Sequence, residues 1–350
     1  MRSTLSHKKA CSRSRPKVGW SMRMLFAVIM LCSAGVSADQ IDLFFLVSKP
    51  TTDYLDVMET VQEELNEKFP DKYKYTVEFV SERVSSQANG LLAAATADLI
   101  VTIGTAAADR AYGYRALQSK ALEPKALQSK VRAPVISVLI TDSSFAALGS
   151  KYFGSVNQAF AKQVSAICID QPTSRSIRLA KLLLPEAKKV GVMLGHSSVE
   201  QQQDLAESIS DLGMTSEFVT VGSKDNPITK IEPVIGVVDV FIPVPDSRLI
   251  NLATAKWILH LSYRHKVPVI AFSRTYVRAG ALAAIYSSPQ NVAVQTVEWI
   301  ADADLVGGKQ GHAYQPKYYS MHFNYSVAAS LDVVIKDEQF YLEQLQSGNR

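Results

Sequence analysis

Cysteine is scarce: three residues in a chain of 350, at positions 11, 32 and 168. Only Cys168 lies beyond residue 38, so the rest of the chain can close no disulfide within itself, and it holds no Cys-x-x-Cys pair for zinc or thiol redox chemistry. Histidine offers no metal spacing either. His260 and His265 are five apart and do not share a helix face as i, i+4 ligands do. A glycine-rich phosphate loop and the dinucleotide fingerprint are missing. So is an excess of one charge. The formal net charge is +4, but residues 1–38 carry seven basic side chains (Arg2, Lys8, Lys9, Arg13, Arg15, Lys17, Arg23) and no acidic one, which leaves −3 for the remainder. A mildly acidic body gives no support to nucleic-acid binding. The apolar run Met24 to Cys32 falls short of the roughly 20 residues a membrane span needs.

What these segments do contain reads as an export signal. A basic stretch precedes the apolar run, and Val36-Ser37-Ala38 fits a small-x-small cleavage site before Asp39. Residues 1–38 are therefore expected to be a cleavable signal peptide, directing the protein to the periplasm. An uncleaved anchor is the alternative. Leu31 stands where a lipoprotein signal wants a small residue before Cys32, which argues against lipid attachment. Cys168, inside the apolar "SAICID", reads as a buried inert thiol.

From Asp39 onward, strands and helices alternate. "IDLFFLVS", "YTVEFV", "DLIVTIG", "APVISVLIT", "AICID", "KKVGVMLG", "SEFVTV", "VDVFIPV", "VPVIAFS" and "ALAAIYSS" read as strands; the segments between them carry helical periodicity. This pattern predicts parallel sheets wrapped by helices. Residues 143–165, rich in small residues and holding Phe145, Tyr152 and Phe160, read as an irregular crossover between two similar lobes. The pentapeptide Ala-Leu-Gln-Ser-Lys, at 116–120 and again at 126–130, is too short a repeat for a solenoid and reads as a local surface duplication.

In open parallel sheets, ligands sit beyond the carboxyl ends of the strands. Here those ends carry small polar residues. Gly104-Thr105 opens a helix whose free N–H groups suit an anion or a carbonyl, or else forms a plain capped turn. "GHSSV" at 195–199 is a near miss for the nucleophile elbow, with Val199 where the second glycine belongs. Ser197 with Glu200 fits a helix capping box, which explains the serine without catalysis. His196 faces either a cleft or solvent. Asp246, after "VFIPVP", could hold a ligand amine, or it or Ser247 could cap the next helix. Tyr54, Tyr276 and Tyr286 could stack on a ligand, or each could equally be lobe packing.

The ordered segments "DLIVTIGTAAAD", "APVISVLITD", "LLLPEAKKVGVMLG", "VDVFIPVPDS", "KVPVIAFSRTYVRAGALAAIYSS" and "VGGKQ" resemble the periplasmic substrate-binding proteins of ABC transporters, most of all the branch that includes aromatic-amino-acid binders. The resemblance runs from about Ile41 to Leu331. It implies an α/β type I periplasmic-binding fold, two Rossmann-like lobes with parallel sheets joined by a hinge, with no cofactor and no metal. The first lobe would hold 39–160 plus 289–312, the second 161–288 plus 313–350. Carried over position by position, the ligand contacts would be Ser48, Gly104, Thr105, Thr141 and Asp142 on the first lobe. On the second they would be His196, Ser197, Asp246 and Ser273, with Tyr286 near the hinge. The sequence departs from the family pattern in the long segment after the fourth strand and at Gly195-His196, so ligand identity does not transfer.

The resemblance implies a monomeric, non-enzymatic binding protein that closes on a small organic ligand, an amino acid or an aromatic compound, and delivers it to an inner-membrane ABC permease. A sensory module read by a membrane sensor protein is the second expectation. An exported hydrolase using Ser197 and His196 is the third.

Overall fold

Apolar runs bounded by small polar residues become strands, and amphipathic segments become the helices between them. In a computed structural model, residues 40–80, 96–120, 133–196, 198–222, 224–246, 249–303 and 310–347 are described. The expected signal segment, Ser197, all but the last two residues of the helix expected within 86–97, the second copy of the pentapeptide and most of "VGGKQ" lie outside them.

The strands, in chain order, are β1 (Ile41–Val47), β2 (Tyr73–Phe79), β3 (Leu99–Ile103), β4 (Val135–Ile140), β5 (Val164–Cys168), β6 (Lys189–Leu194), β7 (Thr215–Thr220), β8 (Val240–Pro243), β9 (Ile270–Ala271), β10 (Ala283–Tyr286), β11 (Ala313–Tyr314) and β12 (Ser320–Phe323). The helices are α1 (Thr52–Lys68), α2 (Thr105–Lys120), α3 (Asp142–Phe153), α4 (Val156–Ala161), α5 (Thr173–Leu183), α6 (Gln202–Ser210), α7 (Pro227–Ile235), α8 (Leu252–His265), α9 (Arg274–Ala279), α10 (Pro289–Asp302), α11 (Tyr325–Ser330) and α12 (Glu338–Ser347).

The first sheet runs β11-β5-β4-β3-β1-β2, with every pairing parallel. Alternation along β1 places its side chains on two faces. Leu43, Phe45 and Val47 pack with α1 and α10 through Val57, Val61, Leu65, Val297 and Ile300. Phe44 and Leu46 pack with Tyr112 of α2 and Phe145 of α3. Burial on both faces is why β1 reads as a continuous apolar run.

The second sheet is built as β7-β6-β8 and β9-β10-β12. A parallel bridge between Phe241 and Val269 joins the two halves, with the Phe241 N–H donating to the Pro268 carbonyl at 2.9 Å. Only its last strand, β12, runs antiparallel, against β10. α5, α6, α11 and α12 cover one face with Ile177, Leu205, Ala328 and Tyr341; α7 and α8 cover the other with Ile231, Ile258 and Leu261. Each large apolar side chain fully buried in this way contributes on the order of 1.5–3 kcal/mol.

Three connections join the sheets: 169–172 between β5 and α5, 287–288 between β10 and α10, and 315–319 between β11 and β12. α10 packs on the first sheet through Val292, Val297 and Ile300. Two strand placements differ from the expected boundaries. β5 pairs with β4, so the first sheet extends past residue 160; β11 pairs with β5, so it also takes residues 313–314. Residues 143–165 differ as well: instead of an irregular crossover they form α3, α4 and the start of β5. Thr141 caps α3 through its side chain, and Gly154 ends it in the left-handed conformation at φ 87°. These two signals bound a helix whatever the small residues between them suggest.

Candidate functional site

The ends of β1, β3 and β4 lie side by side. The Ser48 N–H donates to the Ile103 carbonyl and the Gly104 N–H to the Val138 carbonyl, each at 2.9 Å. Ser48 also accepts from the Ala107 N–H at 2.9 Å through its hydroxyl, so it caps α2 from a distant strand. Gly104 sits at φ +86°, and a Cβ there would come within 2.7 Å of Ser48 Oγ and 2.9 Å of Tyr54 Cζ. Both the conformation and the space exclude a side chain. Thr105 opens α2 and is exposed.

β4 reaches the site through a distortion. Its register with β5 shifts between Ser137 and Ile140, and Leu139 stands at φ 51°, in the left-handed region. Such a bulge re-aims the residues that follow it, here Thr141 and Asp142. Thr141 is the N-cap of α3, accepting from the Ser144 N–H at 3.2 Å. The Asp142 N–H donates to Asp170 Oδ2 at 2.6 Å.

On the second lobe, Gly195, Ser198 and Asp246 form one unit. Ser198 Oγ accepts from the Gly195 N–H at 2.9 Å and donates to Asp246 Oδ2 at 3.2 Å. The Asp246 carboxylate lies where a Cβ on Gly195 would be. Asp246 does not cap the next helix: Asn251 does, accepting from the Ala253 and Thr254 N–H groups. His196 is exposed, and Ser197 lies outside the described residues. Ser273 caps α9 by accepting from the Tyr276 N–H at 3.3 Å. Tyr276 is buried beside Phe272, and Tyr286 packs against the core of its lobe, with the Arg274 guanidinium 5.8 Å from its ring. The lobe-packing reading therefore holds for Tyr276.

Asp142 and Asp246 come together across a cavity of about 360 Å³. Ser143, Pro172, Asp204, Leu205, Val244, Pro245 and the connecting residues Asp170, Gln171 and Gln315 also line it. The other eight expected contacts are not among its described lining residues. Ser48, Thr141 and Ser273 each accept a backbone N–H through the hydroxyl and so cap helices, and Tyr286 packs in its lobe.

Asp170, Gln171 and Asp204 were not anticipated. The signal available for the first two was the polar turn Asp-Gln-Pro following directly on an apolar strand. Asp204 looks in sequence like any acidic residue in the first turn of a helix. Burial holds the Asp170 carboxyl above the usual range, opposed by its bond from the Asp142 N–H. Burial, with Asp142 adding to it, pushes the Cys168 thiol up to about 12, so this free cysteine is protonated and inert at neutral pH. Four carboxylates and no Lys or Arg occur among the described lining residues. Among the described residues no group of His, Cys, Asp and Glu is placed to hold a metal ion.

Two doubly covered parallel sheets, three connections and a cavity bordered by both lobes define a type I periplasmic-binding fold. Residues 46–340 match the family of ABC transporter substrate binding proteins, and the chain belongs to that family. No curated protein matches it in sequence. Solved structures share the fold at low identity. One is an ABC domain in complex with L-Trp from Streptococcus pneumonia, 20% identical, covering 86% of this chain and 98% of that one, with a TM-score of 0.50. Another is the ligand-free, open form of a substrate binding protein with adhesive properties from Clostridium difficile, 17% identical, covering 85% and 97%, with a TM-score of 0.59. A third is the XylFII–LytSN complex, 12% identical, covering 82% and 99%, with a TM-score of 0.50.

Proposed function

We propose that this chain is an exported solute-binding protein that takes a small organic molecule into the cavity between its lobes and presents it to an inner-membrane ABC permease. The observation that carries the reading is the cavity itself. It lies at the C-terminal ends of β4, β5 and β8, where open parallel sheets bind ligands, and its volume of about 360 Å³ suits a molecule of amino-acid size.

The lining supports a ligand with both an ammonium group and apolar bulk. Asp142, Asp170 and Asp246 offer carboxylates, and Leu205, Val244 and Pro245 offer apolar surface. An amino acid or an aromatic amine meets both demands. Contacts to both lobes favour the arrangement in which the lobes approach, and a partner that reads this arrangement then senses occupancy. Binding rather than catalysis is supported by the family, whose members are substrate binding proteins. The basic and apolar segment at 1–38, with its small-x-small site, supports export by a cleavable signal. The first lobe is taken as the β1–β5 and β11 sheet with its helices, the second as the rest.

Native mass spectrometry of protein taken from the periplasm without denaturation tests the reading. A bound molecule of defined mass, absent from a Gly195→Ala variant whose Asp246 has been displaced, is the expected result. A wild type that stays at its apo mass across a panel of amino acids and amines overturns it.

A further inference from the structure

The three connections between the lobes meet at one side chain. Gln171, in the first connection and only 8% exposed, uses every polar hydrogen and its oxygen. Its Nε2 donates to Ser287 Oγ of the second connection at 2.8 Å and to the Tyr318 carbonyl of the third at 3.0 Å. Its Oε1 accepts from Nη1 of Arg175. Ser287 Oγ in turn donates to the Ile169 carbonyl at 2.9 Å, returning to the first connection. Arg175 Nη1 also donates to the Pro316 carbonyl at 3.0 Å, and its guanidinium lies 5.0 Å from the Tyr319 ring centre.

The amide orientation is fixed by these partners. Turned over, its oxygen would face the Tyr318 carbonyl and its NH2 would face a guanidinium, so both ends would be mismatched. The network needs two donors and one acceptor on a single planar group at the end of this stem. Glutamate lacks the donors, and leucine lacks both functions. The third connection is also strapped to the first lobe. Gln295 of α10 donates to the Gln315 carbonyl and accepts from the Lys317 N–H, at 2.9 and 2.8 Å, and Glu298 accepts from Lys317 Nζ at 2.8 Å.

We infer that Gln171 is the positioning residue of the hinge: its carboxamide fixes the relative setting of the three connections, and thereby the balance between open and closed lobes. It also lines the ligand cavity, together with Asp170 and Gln315, so a bound molecule and the lobe angle act on the same side chain. The coupling to ligand rests on the proposed function; the control of lobe angle does not.

The test measures lobe separation directly. Spin labels are placed at Glu63→Cys on α1 and Glu207→Cys on α6, both exposed, with Cys11 and Cys32 replaced by Ser; Cys168 is too buried to compete for label. Pulsed dipolar spectroscopy is then recorded for this background, for Gln171→Leu and for Ser287→Ala, with folding checked by circular dichroism. Gln171→Leu is expected to change the ratio of the lobe-separation populations on the order of tenfold, the size set by losing two or more hydrogen bonds. Ser287→Ala is expected to move it in the same direction by less. Wild-type distributions in folded Gln171→Leu overturn the inference, and if that variant does not fold, a wild-type distribution in Ser287→Ala does so. The ligand reading fails separately. An altered distance distribution in a protein that binds no amino acid or amine by native mass leaves the hinge role standing and removes only the coupling.

Discussion

The two lobes carry the same strand order on different terms. The first sheet reads β2-β1-β3-β4-β5-β11 and the second β7-β6-β8-β9-β10-β12. Each is a five-strand parallel run closed by one strand that the chain adds late. The first lobe is closed by parallel β11 and the second by antiparallel β12. The difference follows from the third connection. It leaves the first sheet at Tyr314 and enters the second at Ser320, too short a path to turn the chain round and add a parallel strand. The first lobe is thus completed by a strand lying far in sequence from the rest of its sheet, and because β11 and β12 are joined by one short connection, a fault there should damage both lobes.

The interiors also differ. The first lobe buries a polar chain between sheet and helix: Thr102 Oγ1 donates to Ser137 Oγ at 2.7 Å, and the Tyr112 hydroxyl shares a 2.7 Å bond with the same oxygen. Burial holds the Tyr112 hydroxyl far above the usual phenol range, so it stays a neutral partner at any physiological pH. The large side chains fully buried in the first lobe include Phe44, Phe45, Tyr112 and Phe145, whereas the core around α5 and β6 is mostly aliphatic.

The largest effect is expected where the late strand begins. A Cβ on Gly311 would overlap the Val164 backbone, with its carbonyl carbon at 2.7 Å and its nitrogen at 3.0 Å. Backbone cannot swing aside as a side chain can. Gly311→Ala should therefore cost about 3 kcal/mol or more and release β11 from β5. Thermal melting should show a large loss, and hydrogen exchange should show it in β5 and β11 first. An unchanged melting temperature would mean that the late strand does not complete the first lobe.

A smaller effect tests the difference in interiors. Ser137→Ala leaves the Tyr112 and Thr102 hydroxyls buried without their shared partner, at a cost of roughly 1–3 kcal/mol. Replacing all three at once, with Thr102→Val, Ser137→Ala and Tyr112→Phe, removes the polar groups together and should recover most of that loss. Denaturant titration of the single and triple variants reads the difference. Equal destabilisation by both would show that packing, and not hydrogen-bond satisfaction, dominates there.

Much of this was legible in the sequence, for reasons that are local. Periodicity of two and of 3.6 comes from side chains that face a core, so the strand and helix order followed from apolar spacing. Asp246 is proposed from its place just past a buried strand, and Asp142 from the family resemblance. Sheet membership is not local. Nothing in "SAICID" distinguishes the last strand of one lobe from the first of the next, so only the pairing of β5 with β4 assigns it to the first sheet. The capping role of Ser48 is not legible in sequence, because its partner, the Ala107 N–H, is 59 residues away. Gln171 is hidden for the same reason: its partners lie 116 and 147 residues further on, and a lone glutamine in a turn carries no pattern.

The smallest expected effect concerns the carboxylate shared by the cavity and the hinge. Asp170 is held above the usual range because burial disfavours its charge, and its ordinary value near 3.9 applies in the unfolded chain. The folded protein therefore binds more protons than the unfolded chain between those two values, and stability falls as pH rises through that window. Asp170→Asn removes this slope and keeps an oxygen to accept the Asp142 N–H. The melting temperature of the variant, relative to wild type, should rise as the pH climbs above the ordinary carboxylate range. A relative melting temperature that does not change with pH would mean that solvent reaches Asp170 freely. The carboxylate would then be an ordinary surface acid, and the lobe connection at 169–172 would hold no buried charge.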